Sequence, residues 1–172
     1  MPRDKISHAI LVFLLAFLFN SCFEKKEEKT HLDTFIKGFS LSHIKNGEKK
    51  WEIFCNSSWM NQKQDELKCY DSHILVYSDG KKISDIKSKT GYGELSKESF
   101  YLKDDVRVIS YSQEAEVYCD KLYFDSKREI IYSDVRTRII RKKEGVEIDS
   151  QGFEAKSDLS NIRFFKHTTK KI

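Results

Sequence analysis

From residue 35 onward, apolar side chains recur at every second position, and no stretch firmly sustains the three-and-four spacing of an amphipathic helix. Trp51, Ile53 and Cys55 share one parity. So do Ala115, Val117 and Cys119; Val135, Thr137 and Ile139; Val146 and Ile148; Phe153 and Ala155. A period of two sends successive side chains to opposite faces of a strand, so each run offers one face to a core. Turn signals separate the runs: Asn46-Gly47, Asp79-Gly80, Gly91 to Gly93, Lys103 to Asp105, Asp125 to Lys127 and Lys143 to Gly145. Asn-Gly and Asp-Gly mark hairpins because both central residues of a type I′ turn need positive φ. Their spacing of about ten residues predicts an antiparallel meander, sandwich or jelly roll. The sole proline is Pro2, so no strand ladder is interrupted by a missing N–H, and the 12 Phe and 8 Tyr favour strands. Only residues 59–70 permit helical spacing, and their polar centre, 61–66, reads as a loop or a single turn. The tetrad Asp105-Val106-Arg107-Val108 recurs as Asp134-Val135-Arg136-Thr137. An echo of about 30 residues implies stacked, similar β-units.

The N-terminus reads as an address. Arg3 and Lys5 precede the apolar run 9–19. That run is too short for a hydrocarbon core of about 30 Å, which takes about 20 helical residues. Its length fits the h-region of a secretory signal. It ends in Phe19-Asn20-Ser21-Cys22, which resembles a lipobox whose cysteine, Cys22, would become the first mature residue and carry acyl chains. The expected organisation is a lipoprotein signal peptide (1–21), a charged tether (22–33), a β-domain (34–166) and a basic tail (167–172). Export makes disulfides permissible. Beyond Cys22 remain Cys55, Cys69 and Cys119. Cys55 and Cys69 could pair if their strands are neighbours, and Cys119, on an apolar parity, reads as a buried thiol.

Several classes of chemistry find no support. The histidines, at 8, 31, 43, 73 and 167, lack metal-ligand spacing, and no CxxC, HExxH or Gly-x-Ser-x-Gly motif occurs. No Gly-rich phosphate loop is present, so no nucleotide or other cofactor is expected. A net charge of +4, with lysines scattered rather than clustered among aromatics, does not describe a nucleic-acid binder.

In order and spacing, these pieces resemble one known family. A Trp opens an apolar alternation at Trp51, Ile53 and Cys55, and a hairpin with a central Gly follows at Val76 to Gly80. Next come the strand Ile83 to Ile86, the Gly-aromatic segment Thr90-Gly91-Tyr92 and the valine step Val106 to Val108. Leu122-Tyr123-Phe124-Asp125 and Asp134-Val135 precede a closing Gly-x-Gly-aromatic motif, read here as Ser150-Gln151-Gly152-Phe153. Residues 51–165 thus resemble LptC, the periplasmic, membrane-anchored component of the lipopolysaccharide export system. The chain departs from that pattern in having Ser150 for the first Gly, and a lipobox in place of an uncleaved helix.

The resemblance implies a non-enzymatic carrier with an open, twisted β-jelly roll on the periplasmic side of the inner membrane, where the lipobox would supply a lipid anchor. It would take lipopolysaccharide, or a similar glycolipid, from the membrane subunits of an ABC transporter and pass it to a soluble periplasmic carrier of similar fold by edge-to-edge sheet contact. Exposing an acyl chain to water costs roughly 0.8 kcal/mol per CH₂, so an apolar groove is the physical requirement. The inward residues Trp51, Ile53, Val106, Val108, Val117, Leu122, Phe124, Ile131, Val135, Ile139, Ile148 and Phe153 are its candidate lining. The terminal strand Asn161, Ile162, Arg163, Phe164 and Phe165 is the candidate edge for the next carrier, and residues 35–43 the candidate edge for the transporter. The alternative is a structural or protein-binding envelope lipoprotein whose inward residues close into an ordinary β-sandwich core.

Overall fold

The computed structural model describes residues 34–61 and 65–172. The expected signal peptide, Cys22 and the tether lie outside them. Eight long strands run in sequence order, each antiparallel to the last: β1 (Thr34–Lys45), β2 (Glu48–Asn61), β3 (Glu66–Ser78), β4 (Lys81–Glu94), β5 (Ser99–Ser110), β6 (Ala115–Asp125), β7 (Ile130–Arg141) and β8 (Val146–Lys156). Two short strands, β9 (Ile162–Phe164) and β10 (His167–Lys171), both pair with β8, β9 along Phe153 to Ala155 and β10 along Val146 to Ser150. The result is one open antiparallel sheet, the all-β class the alternation predicted.

The strands are not short. β1 to β8 have 11 to 14 residues because two of the predicted turns lie inside strands. Gly91 and Gly93 sit within β4, where a β-carbon would meet Leu102 at 3.2 Å and Phe100 at 3.0 Å; they are close-packing positions. Asp104 and Asp105, at φ of 65° and 52°, interrupt the ladder in the middle of β5. Positive φ serves a bulge as well as it serves a turn.

That interruption belongs to a line crossing the whole sheet. Pairing lapses at Gly38 opposite Asn56 and at Asn56 opposite Asp71. Register then shifts between Lys87 and Thr90, Lys103 and Val106, Cys119 and Tyr123, and Ser133 and Arg136. On β8 the line passes Gly152, at φ 104°. Bulges bend strands, and bulges aligned across neighbours crease the sheet. Inward parity records it. On β6, Ala115, Val117 and Cys119 are buried before the crease, but Leu122 and Phe124 after it. One extra residue flips the face, as in β8; the two inserted at Asp104-Asp105 in β5, and at Asp134-Val135 in β7, restore it.

The crease makes two half-sheets that face each other. One contains Trp51 and the other Phe100, and each half is named for that residue below. Cys55 and Cys69, buried on opposite sides of the crease, form a disulfide with Cα atoms 5.4 Å apart. At the rim opposite the crease, Trp51 meets the Phe100 ring edge-on at 5.1 Å. Ser84 and Ser110 of the Trp51 half donate hydrogen bonds, each of 2.6 Å, to the carbonyls of Ser157 and Asp158 beyond the end of β8.

The expected basic tail is a strand. β10 is exposed along its length, but Lys170 reaches Glu147 at 2.7 Å, and Arg138 binds the other oxygen of the same carboxylate at 2.7 Å. The basic tail reads in sequence as a solvated terminus; the Glu147 carboxylate on β8 gives Lys170 a place in the sheet.

Candidate functional site

The two half-sheets bring eleven of the twelve candidate lining residues into one buried core. The Trp51 half contributes Trp51 and Ile53 from β2, Val106 and Val108 from β5, Val117 from β6, Ile139 from β7 and Ile148 from β8. The Phe100 half contributes Leu122 and Phe124 from β6, Ile131 from β7 and Phe153 from β8. Val135 is only partly buried, because it is one of the two residues inserted at the crease. Several core members stand on runs whose alternation is hidden by the parity flip or by serines: Leu67, Ile74, Ile86 and Leu102, all buried, were not singled out in the sequence. Phe100 and Phe124 stack at 6.0 Å and continue the edge contact from Trp51 into the interior.

Two polar atoms inside this apolar space are left over. The indole N–H of Trp51 and the hydroxyl of Ser58 are buried without a hydrogen-bond partner among the described residues. An unsatisfied buried donor costs about 1–3 kcal/mol. Other buried hydroxyls are engaged: Ser72 with Ser88, Ser84 with Ser157, and Ser150 with Phe165 at 2.9 Å. Trp51 stands at the rim, its ring stacked 5.5 Å from that of His43 on β1, and His43 reaches Glu98 of the opposite half at 3.6 Å.

Among the described residues both sheet edges are open: β1 pairs only with β2, and Phe35 is 46% exposed. At the other end the five candidate edge residues are held against β8. The N–H of Lys156 donates to the Asn161 carbonyl at 3.2 Å, Ile162, Arg163 and Phe164 form β9, and the N–H of Phe165 donates to the Gly152 carbonyl at 3.1 Å. Ile162 and Phe164 pack on the core, while Phe165 stays 42% exposed.

Outside, the Trp51 half carries ion pairs. Lys142, Tyr118 and Arg107 converge on Glu116 and hold its carboxyl down at about 2. Arg138 and Lys170 do the same for Glu147, also to about 2. Cys119 is the free cysteine among the described residues, and burial pushes its thiol up to about 12. No group of three or more His, Cys, Asp or Glu among the described residues is arranged to hold a metal ion.

Comparison with known proteins adds three findings. A family model described as lipopolysaccharide-assembly, LptC-related, matches residues 8–171. No curated protein sequence matches. Twelve chains of known structure match. One is LptH, the LptA homologous periplasmic component of the conserved lipopolysaccharide transport device from Pseudomonas aeruginosa, with 5% identity and a TM-score of 0.30, covering 78% of this chain and 82% of that one.

Proposed function

This chain belongs to the LptC-related family of lipopolysaccharide-assembly proteins, and we propose that it serves that assembly as a carrier that holds acyl chains between its two half-sheets. The family's role is transport, not catalysis, and its place is the periplasm. The finer reading is that the chain is anchored at the inner membrane by lipid on Cys22. It would receive lipopolysaccharide from the membrane subunits of an ABC transporter along β1 and pass it to a soluble carrier along β9. An open strand edge is a template for strand addition.

The observation that carries this reading is the pair of buried donors without a partner among the described residues, Trp51 Nε1 and Ser58 Oγ, in an interior whose other buried hydroxyls named above are engaged. An ester or amide carbonyl at the head of an acyl chain would supply the acceptor they lack. Entry needs the rim to part, and the polar ties described there are few: the Ser84 and Ser110 hydrogen bonds and the His43–Glu98 pair. The Cys55–Cys69 bond lies at the crease and would hold the hinge while the rim opens.

The closed state of the core favours the second reading, a structural envelope lipoprotein, since eleven of the twelve candidate lining residues are at most 5% exposed, Val135 being the exception. Site-specific photocrosslinking in cells separates the two. A photoreactive residue at Val108, Ile139 or Phe153 should give lipid adducts, with Arg138 on the outer face giving none. Absence of adducts at all inward sites in well-folded protein leaves the structural reading.

A further inference from the structure

The outer face of the Phe100 half carries a row that no part of the carrier reading uses. Phe35, Trp59, Lys68, Tyr92, Tyr101, Tyr123 and Tyr132 are successive cross-strand partners from β1 to β7. The four tyrosines stack in sequence at 6.0, 4.9 and 4.6 Å, and the Lys68 ammonium lies 5.7 Å from the Tyr92 ring. Each ring covers its neighbour's face, so the ladder presents ring edges and phenol hydroxyls to solvent. The hydroxyls of Tyr101, Tyr123 and Tyr132 bond to no protein group among the described residues, whereas those of Tyr77, Tyr111 and Tyr118 all reach carboxylates.

One step toward the rim, Glu66, Glu94, Ser99 and Asp125 form a parallel row. Between the rows lies an open trough of about 820 Å³, and Arg128 closes one end. The side chains of Glu66, Ser99 and Arg128 have no partner among the described residues. Crossing six strands, β2 to β7, the trough is about 24 Å long at the usual strand spacing.

The lining restricts the occupant. Three carboxylates, Glu66, Glu94 (paired with Lys97) and Asp125, face two cations, Lys68 and Arg128, along the trough, so its balance of charge does not favour a polyphosphate chain or an anionic membrane surface. An extended peptide would need a free strand edge, but the trough crosses strands whose backbone groups already pair with one another. A purely apolar ligand would leave the carboxylates and phenols desolvated and unpaired. A polyhydroxylated chain meets each demand: its hydroxyls donate to Glu66, Glu94 and Asp125 and accept from the phenols and Arg128, while its C–H faces lie against the aromatic edges. We propose that this trough binds a short oligosaccharide, the sugar portion of the lipid cargo, outside the half-sheet whose inner face shelters the acyl chains. This rests on the carrier reading for the source of the sugar.

The test titrates full-length protein in detergent with a neutral, phosphate-free oligosaccharide released from lipopolysaccharide, read by calorimetry. Saturable binding is expected, weakened at least tenfold by the double substitution Glu66→Gln with Arg128→Gln and by Tyr123→Ala, and unchanged by Lys87→Gln on the other half. Tyr123→Ala removes a stacked ring and is able to disturb the sheet; the double substitution changes two side chains without protein partners and carries the test by itself. No saturable binding, binding untouched by the double substitution, or equal retention of sugar-free phospholipid vesicles through the same residues overturns the inference. Photocrosslinking from Val108 reads the other proposal separately. Lipid adducts without saccharide binding leave the carrier standing and remove the trough; saccharide binding without adducts does the reverse.

Discussion

Gly152 packs so tightly against Ser133 that a β-carbon on it would stand 2.6 Å from the Ser133 carbonyl oxygen. Its φ of +104° is one that side chains rarely adopt. The position is the end of the crease on β8, where one extra residue flips the inward face. Gly152→Ala is therefore expected to cost at least about 2 kcal/mol, from left-handed strain and backbone overlap together. A lowered midpoint in denaturant unfolding would show it; an unchanged midpoint would mean that the crease relaxes without cost.

The Cys55–Cys69 bond joins residues 14 apart in sequence and ties the crease between β2 and β3. Replacing both by Ser should lower stability by about 3 kcal/mol, chiefly by freeing the unfolded chain. Urea unfolding of the double variant beside the oxidised protein measures it. If reduction of the native protein with dithiothreitol leaves its stability unchanged, the bond has no part in holding the hinge.

Acid should loosen the Trp51 half. Glu116 titrates at about 2 when folded, against 4.5 as its ordinary value, because Lys142, Tyr118 and Arg107 bind the ionised form. A depressed folded value contributes stability that is complete above 4.5 and is lost as pH falls toward 2. The same sign holds for Glu147 with Arg138 and Lys170. Thermal midpoints should fall across that window. Glu116→Gln should lower the midpoint at neutral pH and flatten its decline in acid; an equally steep decline would show that other carboxylates govern it.

Cys119 should be inert in the folded chain. Burial raises its thiol to about 12, and the thiolate is the reactive form. Iodoacetamide at about pH 8 should leave Cys119 unmodified until denaturant is added, as read by mass spectrometry. Rapid native labelling would mean that the crease opens around β6 on the experimental timescale.

Much of the fold was legible because alternation and hairpin chemistry are local. Asn46-Gly47, Asp79-Gly80, Asp125-Ser126 and Glu144-Gly145 do stand at strand ends. Gly91 and Asp104-Asp105 misled because glycine and positive-φ aspartate serve turns, bulges and close packing alike. The inward positions of β5 to β8 were mostly found, whereas Leu67 and Ile74 in β3 were hidden where parity flips between Cys69 and Ser72. The tyrosine row left only a faint signal: Tyr92 and Tyr101 lie nine residues apart, as do Tyr123 and Tyr132, 31 positions on, the same period as the echo of about 30 residues.

The sequence by itself determined the class of this protein: strands rather than helices, hairpin after hairpin, one apolar face along each run, and a family pattern from Trp51 to Phe165. These follow from properties of a few neighbouring residues, the pleat and the turn. Only the tertiary structure decided that the bulges align into a crease, that Cys55 meets Cys69, that β10 docks on Glu147, and that four distant tyrosines form one ladder. Those depend on cross-strand register, which is the sum of every hairpin and bulge before it, and a shift of one residue at any of them would put a different set of side chains in the row.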